Sequence, residues 1–500
     1  MLNTINMLKI NLYLFAALLS VSILSSCKKD KKAPIDAPSK IGTRDDLTKD
    51  SIFLYAKETY FWYDALPDYK TFMPRLTANV DSAVSKLTQY KLNPKYSLSD
   101  PYNHNKYLDK YSFIDNGGIA EQLGGTGGDF GFSIFYNSEN DLRIKYVYES
   151  SPAAVKGLKR GYQITKLNGR TDLSYNSQAN INFVVDAIIS GSNTSISMTV
   201  KALDGTSQDI SLSKGNYSIN PVLYKNVYIA GSKKVGYLVF NSFTTNATTK
   251  LDEAFQYFAS NNINELVVDL RYNGGGSVAT AEDLVNYIAP SGENGHVMYT
   301  TYYNQLMQTG KTPILENQKF IYNNQLYSYN DFDYSVSGNI VNFSKKGSIN
   351  VNRVYFIVTG STASASELVI NSLKPVVDVK LIGRRTYGKP VGFFSIHIDK
   401  YDMYIPQFQT KNQVDAGEYF DGFAVDKEDV DDVTRDFGNP SETLLAHALN
   451  FSATGVYSIG DGSVTSFSGI SGAKADELTE EMDKSEFKGM IPAKPKLKRH

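Results

Sequence analysis

The chain has 500 residues, 42% of them hydrophobic, and a formal net charge of −1. That length allows roughly two to four domains and a sizeable core. With charge so balanced, nothing in the composition suggests nucleic acid as a partner. The first residues read as a targeting segment rather than as part of the fold. Lys9 gives a weakly positive start, and residues 10–24 form an apolar stretch of about 15 residues, too short for a comfortable membrane span. It ends in Leu24-Ser25-Ser26-Cys27. Cys27 is the only cysteine, so an internal disulfide is excluded. The basic run 28–32 and a Pro/Ala/Ser stretch to Lys40 have the composition of a flexible tether over 27–45. No later segment reads as a membrane span.

Residues 46–115 read as a small helical domain. Asp45 and Asp46 suit a helix start, and Phe53, Ala56, Tyr60 and Tyr63 recur at helical spacing. A second helix is predicted over 79–89. The expected role is a packing cap without chemistry.

Gly124-Gly125-Thr126-Gly127-Gly128 breaks the chain, and the alternating Asp129-Phe130-Gly131-Phe132-Ser133-Ile134 predicts a strand. Ser151-Pro152-Ala153, Gly157-Leu158-Lys159-Arg160-Gly161-Tyr162-Gln163-Ile164 and Leu167-Asn168-Gly169 follow. From 235 the pattern turns to strand–helix alternation. Strands are predicted over 235–240, 265–270, 353–359 and 379–383, and helices over 248–260, 278–288 and 364–373. Such alternation argues an α/β layered core over 217–452. Residues 300–352, rich in Tyr and Asn, break it and read as an insertion near the mouth of a site. From 453 to 500 the chain is Gly/Ser-rich, then acidic, then basic, and is expected to be a mostly mobile tail.

Two stretches carry the chemistry. Val267-Val268-Asp269-Leu270-Arg271-Tyr272-Asn273-Gly274-Gly275-Gly276 is a buried strand running into a glycine-rich turn. Thr362-Ala363-Ser364-Ala365-Ser366-Glu367 is followed by Gly388-Lys389. A serine that opens a helix sits where the helix N-terminus favours developing negative charge. Ser364-x-x-Glu367 is equally a capping box, and from that stretch alone the cap is the simpler reading. Glycines let a backbone turn sharply and present N–H groups. Asp269 and Arg271 read as structural residues fixing that turn.

These stretches, in this order, closely resemble the C-terminal processing peptidases (tail-specific proteases, peptidase family S41), over roughly 120–450. The resemblance implies a Ser364 nucleophile, a Lys389 base, and an oxyanion hole from the backbone N–H groups of Gly275 and Ala365. It also implies a core related to the ClpP/crotonase superfamily. A lysine acts as a base only when neutral, and its ordinary pKa is about 10.4. Arg384 and Arg385, close in sequence, are expected to help lower it. Many members place Gln four residues after the lysine, where this chain has Phe393. Segment 120–216 is similar to the PDZ domain of this family, with Phe130, Gly131 and Phe132 at the turn that would hold a peptide's C-terminal carboxylate, and Tyr162 where the pattern has Asp. The N-terminal helical region resembles that of the Bacteroidetes branch. Leu24–Cys27 looks like a bacterial lipobox that would lipidate Cys27 and remove residues 1–26.

The expectation is therefore a multidomain α/β serine endopeptidase of the cell envelope, lipid-anchored to the outer membrane on an unspecified face. It would act on proteins or peptides with free C-termini and need no cofactor, metal, nucleotide or nucleic acid. The alternatives are a catalytically weak or inactive PDZ-containing peptide-binding lipoprotein, and ligand carriage by the same core, as in related retinoid-carrying domains. Gly383-Arg384-Arg385-Thr386-Tyr387-Gly388-Lys389 imitates a phosphate-binding loop, but Pro390 stands where Mg²⁺ needs Ser or Thr. The five histidines, His104, His296, His397, His447 and His500, form no triad or metal motif. His397 reads as a strand residue.

Overall fold

The computed structural model describes residues 38–100, 102–189, 192–458, 487–492 and 496–498. The expected signal peptide and Cys27 lie outside the described residues. No helix among the described residues is long and apolar enough to cross a membrane.

The first helix, α1 (Arg44–Thr59), is capped by Thr43 rather than by the aspartates after it. Thr43 Oγ1 accepts from Asp46 N at 3.1 Å while Asp46 Oδ2 accepts from Thr43 N at 2.9 Å. This reciprocal pair satisfies two donors that a helix start leaves open. Ile52, Phe53 and Ala56 of α1 pack with Val80, Ala83, Val84 and Leu87 of α2 (Val80–Leu87), whose cap is Asn79. A short strand, β1 (Phe113–Asp115), follows.

Next comes a five-stranded antiparallel sheet in the order β2 (Phe132–Ser138), β3 (Asp141–Val147), β4 (Gln163–Leu167), β5 (Ser195–Lys201), β6 (Ser207–Ser213). Two helices accompany it, α3 (Pro152–Val155) and α4 (Gln178–Ile188). Phe130, Ile134, Ile144, Leu158, Ile164, Val184 and Val200 close a core separate from the rest of the molecule. β2 lies at the sheet's edge, entered through Gly131 at φ 81°.

The remaining elements begin with the hairpin β7 (Val222–Ala230) and β8 (Lys233–Phe240), then α5 (Ala247–Asn261) and β9 (Glu265–Asp269). A three-residue strand, β10 (Gly275–Ser277), leads into α6 (Val278–Ile288), and β11 (Val297–Tyr303) and β12 (Ile340–Asn342) follow. Then come β13 (Arg353–Val358), α7 (Ala365–Leu373), β14 (Asp378–Gly383) and β15 (Val391–Gly392). The last elements are β16 (Ile396–Ile398), β17 (Tyr401–Tyr404), β18 (Phe408–Asn412), β19 (Lys427–Glu428), α8 (Thr443–Thr454) and β20 (Gly489–Ile491).

The central sheet has the order β19-β14-β13-β9-β8-β7, parallel throughout except for β7 against β8. Its central strands β8, β9 and β13 are mostly apolar without alternation because both faces are covered. Leu238, Phe240, Leu266, Val268, Val354 and Phe356 join the main core on one face. Their neighbours Tyr237, Val239, Val267, Tyr355 and Ile357 point the other way, onto Leu444, Leu445 and Ala448 of α8. A second, antiparallel sheet has the order β12-β11-β18-β15. Residues 300–352 thus contribute to it through β11 and β12, with a separate hairpin, Lys319–Tyr322 with Gln325–Ser328, between them.

Of the tail expected to be mobile, residues 459–486, 493–495 and 499–500 lie outside the described residues, while two described parts are built into the fold. α8 runs on to Thr454, and β20 is a buried strand beside β10, with Met490 wholly inaccessible to solvent.

Candidate active site

The site lies where β9 and β13 end, in the crevice beyond the carboxyl ends of parallel strands where α/β folds place their chemistry. After β9 the chain must turn, and the turn is stitched from both sides. Asn273 Nδ2 donates to Phe240 O at 2.9 Å, and Ser366 Oγ and Ala363 N donate to Asn273 O at 2.9 and 3.1 Å. Thr362 Oγ1 donates to Leu270 O at 2.7 Å. Gly275 and Gly276, at φ 105° and 137°, hold a left-handed backbone that side chains resist. A Cβ on Gly275 would lie 2.9 Å from Ala365 N, so the turn and the start of α7 touch through this glycine.

Ser364 occupies the N-cap position of α7 but not the conformation of an ordinary cap. Its φ and ψ are 61° and −109°, where an N-cap residue is normally extended. Such strain is held only by surroundings that over-determine it. Its Oγ is buried, with no hydrogen-bond partner among the described residues. Its N–H donates to Glu367 Oε2 at 2.9 Å, so the carboxylate's side of the S-x-x-E pattern is made while the hydroxyl is left over.

Glu367 is the centre of the arrangement, and the sequence offered it only as a capping partner. Oε2 also accepts from Lys389 N at 2.7 Å, and Oε1 accepts from Gly388 N at 2.8 Å and Thr386 Oγ1 at 2.6 Å. One carboxylate therefore fixes the backbones of Ser364 and Lys389 side by side. Burial pushes its carboxyl above the usual range, and these four donors oppose that push.

Lys389 is 1% exposed. Burial drives its pKa well down, and the Lys488 ammonium adds to this; the carboxylates of Asp109 and Glu367 pull the other way. The expected role of Arg384 and Arg385 does not hold. Arg384 pairs with Glu428 at 2.6 Å, and Arg385 donates to Gly422 O at 3.1 Å and stacks over Tyr102. Each is turned away by a nearer partner. The Lys389 Nζ lies 3.8 Å from the centre of the Phe393 ring and 5.4 Å from that of Tyr111, and donates to Lys488 O at 2.5 Å. Phe393, four residues after Lys389, thus packs directly on its amino group.

Tyr111 and Asp109 were missed by sequence reasoning. Tyr111 Oη donates to Gly388 O at 2.6 Å, and Lys110 Nζ to Tyr387 O at 2.8 Å. Asp109 is held by Tyr60 Oη and Ser112 Oγ, both at 2.6 Å. The N-terminal region is therefore part of the wall around Lys389. Nothing local in the sequence marks a contact across 277 residues.

Of the two oxyanion donors expected, Ala365 N is the first N–H of α7, beside Ser364. Gly275 N donates to Asn273 Oδ1 at 2.9 Å in this structure. His397 is exposed on β16, with Nδ1 at 3.0 Å from Asp402. Phe130 is buried, Phe132 nearly so, and Gly131 N donates to Asp129 Oδ1 at 2.7 Å at the head of the edge strand β2. No cluster of His, Cys, Asp and Glu suited to a metal exists among the described residues.

A buried ion cluster ties the five-stranded sheet to the glycine turn. Arg271 meets Asp269 at 2.6 Å, Glu442 at 2.8 Å and Asp431 at 2.5 Å. Arg160, from the five-stranded domain, meets Asp431 at 2.6 Å and Tyr272 Oη at 2.7 Å.

The fold is that of the S41 proteases. A crystal structure of a Bacteroides fragilis protein described as an S41 protease superposes with a TM-score of 0.53 at 22% identity, covering 83% of this chain and 98% of that one. Residues 234–412 match the sequence profile of peptidase family S41. A CtpA-like serine protease of Staphylococcus aureus is 25% identical over 296 residues, 59% of this chain and 50% of that protein. The chloroplastic carboxyl-terminal-processing peptidase 2 of Arabidopsis thaliana is 24% identical over 184 residues, 36% of this chain and 29% of that protein. The match thus spans half or less of these curated relatives' length.

Proposed function

We propose that this protein is a serine endopeptidase that cuts proteins recognised by their C-terminal tails, with Ser364 as nucleophile and Lys389 as base. The observation that carries the reading is the shared carboxylate of Glu367, which holds the N–H groups of both residues while leaving the Ser364 hydroxyl unpartnered. A dehydrated lysine supplies the second requirement, because neutral amine is needed to take the hydroxyl proton as oxygen attacks the carbonyl. The negative oxygen that results would meet the Ala365 N–H at the helix start. For Gly275 N–H to join it, that group must leave Asn273 Oδ1. Lys389, now charged, returns the proton to the departing amine, and water then releases the acyl group.

The edge strand β2 and the turn at Gly131 support substrate capture by strand addition in a PDZ-like module. Anchoring to the outer membrane through Cys27 is part of the same proposal and rests on the sequence motif alone. Cys27→Ser should abolish lipid labelling and shift the protein out of the membrane fraction; unchanged labelling would remove the anchor from the proposal.

Ser364→Ala should reduce hydrolysis of an unfolded protein substrate to background while the chain remains folded, since the hydroxyl makes no bond to lose. Residual cleavage by the pure variant would reject Ser364 as the nucleophile. One observation favours the alternative of a non-catalytic peptide binder: Phe393 supplies no polar group to orient Lys389. Covalent labelling of Ser364 by a fluorophosphonate separates the two readings.

A further inference from the structure

The last described strand lies in the site. β20 runs parallel to β10 in the register Gly275↔Gly489, Gly276↔Met490, Ser277↔Ile491. Gly489 N donates to Gly274 O at 3.0 Å on that side. On the other side Phe393 N donates to Met490 O at 3.1 Å, and Lys389 Nζ donates to Lys488 O at 2.5 Å. The segment is thus a strand pinned between the glycine turn and the lysine loop, using backbone edges of both.

The walls fit this occupant closely. A Cβ on Gly274 would lie 2.3 Å from Phe487 O, one on Gly275 2.3 Å from Gly489 O, and one on Gly392 2.7 Å from Met490 O. At Gly274 and Gly275 glycine makes room first for the segment's backbone; at Gly392 it makes room for the Phe408 ring, 2.1 Å from such a Cβ, as well as for Met490 O. Met490 is fully buried in the main core, and the Phe487 ring stands 6.3 Å from that of Phe393. Further along, Asp333 N donates to Lys496 O at 2.7 Å and Lys498 N to Asp331 O at 2.8 Å, a second attachment beyond the channel.

We propose that the channel between β10 and β15 is the peptide subsite of the catalytic core, taking an extended segment with one buried apolar side chain, and that residues 487–492 are its resident occupant. The segment competes with substrate for the same backbone edges and ties Lys389 to a carbonyl instead of to the serine hydroxyl. The inference rests on the Ser364–Lys389 reading for its catalytic consequence, but not for the binding itself. An occupant on the same chain acts at a high effective concentration, so even modest intrinsic affinity keeps the channel filled.

The test uses the full chain and two tail variants. Met490→Asp puts a carboxylate into an apolar pocket, and Gly489→Pro removes the N–H that bonds Gly274 O. Two measurements are made: the rate of Ser364 labelling by a fluorophosphonate, and binding of a fluorescent, end-blocked hexapeptide of sequence 487–492. Both variants should label at least about tenfold faster than the unaltered chain and bind the peptide at least about tenfold more tightly, because their channel is vacated. The peptide should slow their labelling. Equal labelling rates in all three chains, with no peptide binding, would overturn the proposal and leave the serine reading intact. Peptide binding confined to the variants, with no labelling of any chain, would support the channel and its occupant while rejecting Ser364 as the nucleophile.

Discussion

Lys389 carries the sharpest consequence at the level of single residues. Its pKa is depressed in the folded protein, so between that value and the ordinary one of about 10.4 the unfolded chain binds a proton that the folded chain does not. Folding stability contributed by this group therefore rises with pH across that window. Activity should rise with pH in the same sense, with an apparent pKa below that of a free lysine. Lys389→Met removes the titration, and its chain should lose this rise while being at least as stable as the unaltered one at pH 7. Lys389→Arg keeps a charge that cannot be released near neutrality and should be as inactive as Lys389→Met. Chemical denaturation at several pH values and a pH–rate profile together check both. Substantial turnover by Lys389→Arg would make the lysine an electrostatic residue and move the search for the base elsewhere. Ser364, Lys389 and Ala365 stand out in the sequence as candidates because their wording is local, and Glu367 brings the backbones of Ser364 and Lys389 together. Glu367 was legible only as a helix cap: the sequence gives no sign that its second oxygen reaches Gly388 and Thr386 across 21 and 19 residues.

Among the elements, the strands of the central sheet were the easiest to read. Val267-Val268 and the 354–358 run are apolar without alternation, and the structure covers both faces of each. The predicted helix 278–288 matches α6 to its end residues, and in the structure Ser277 caps it. What stayed hidden was which elements meet. The stretch after α2 reaches the lysine loop through Tyr111, and β20 enters the channel, yet neither carries a pattern different from ordinary loop or tail sequence. The first of these contacts is open to a direct test. Tyr111→Phe removes the 2.6 Å bond to Gly388 O and leaves a buried carbonyl without that donor. A loss of about 1–3 kcal/mol is expected, read from urea unfolding, with a fall in kcat because Gly388 positions Lys389. An unchanged kcat would return the N-terminal region to a purely structural role.

For the molecule as a whole, the question is how a separately cored sheet stays in register with a catalytic turn. The answer offered by the structure is the cluster of Arg160, Asp431, Tyr272 and Arg271. Burial pushes the Asp431 carboxyl up, but the guanidiniums of Arg160 and Arg271 outweigh it and hold it at about 2. A depressed carboxylate contributes stability that is complete above its unfolded value of about 3.9 and is lost as pH falls through its folded value. Attachment of the five-stranded domain should therefore weaken between about pH 4 and pH 2. Arg160→Leu should do the same at neutral pH, because it leaves the buried carboxylates of Asp269, Asp431 and Glu442 to share the Arg271 guanidinium alone. Breaking one partner of such a buried pair costs about 3–5 kcal/mol. Tyr272 directly precedes the turn at Asn273, so the loss should reach the site. The variant is expected to show protease-sensitive opening around 160 and 431 and slower fluorophosphonate labelling of Ser364. Asp431→Asn in the Arg160→Leu background removes one of these charges and should recover part of the stability. If the double variant regains stability but not the labelling rate, Arg160 itself transmits the domain's position to the turn; if both recover together, the cluster acts only as a fastening.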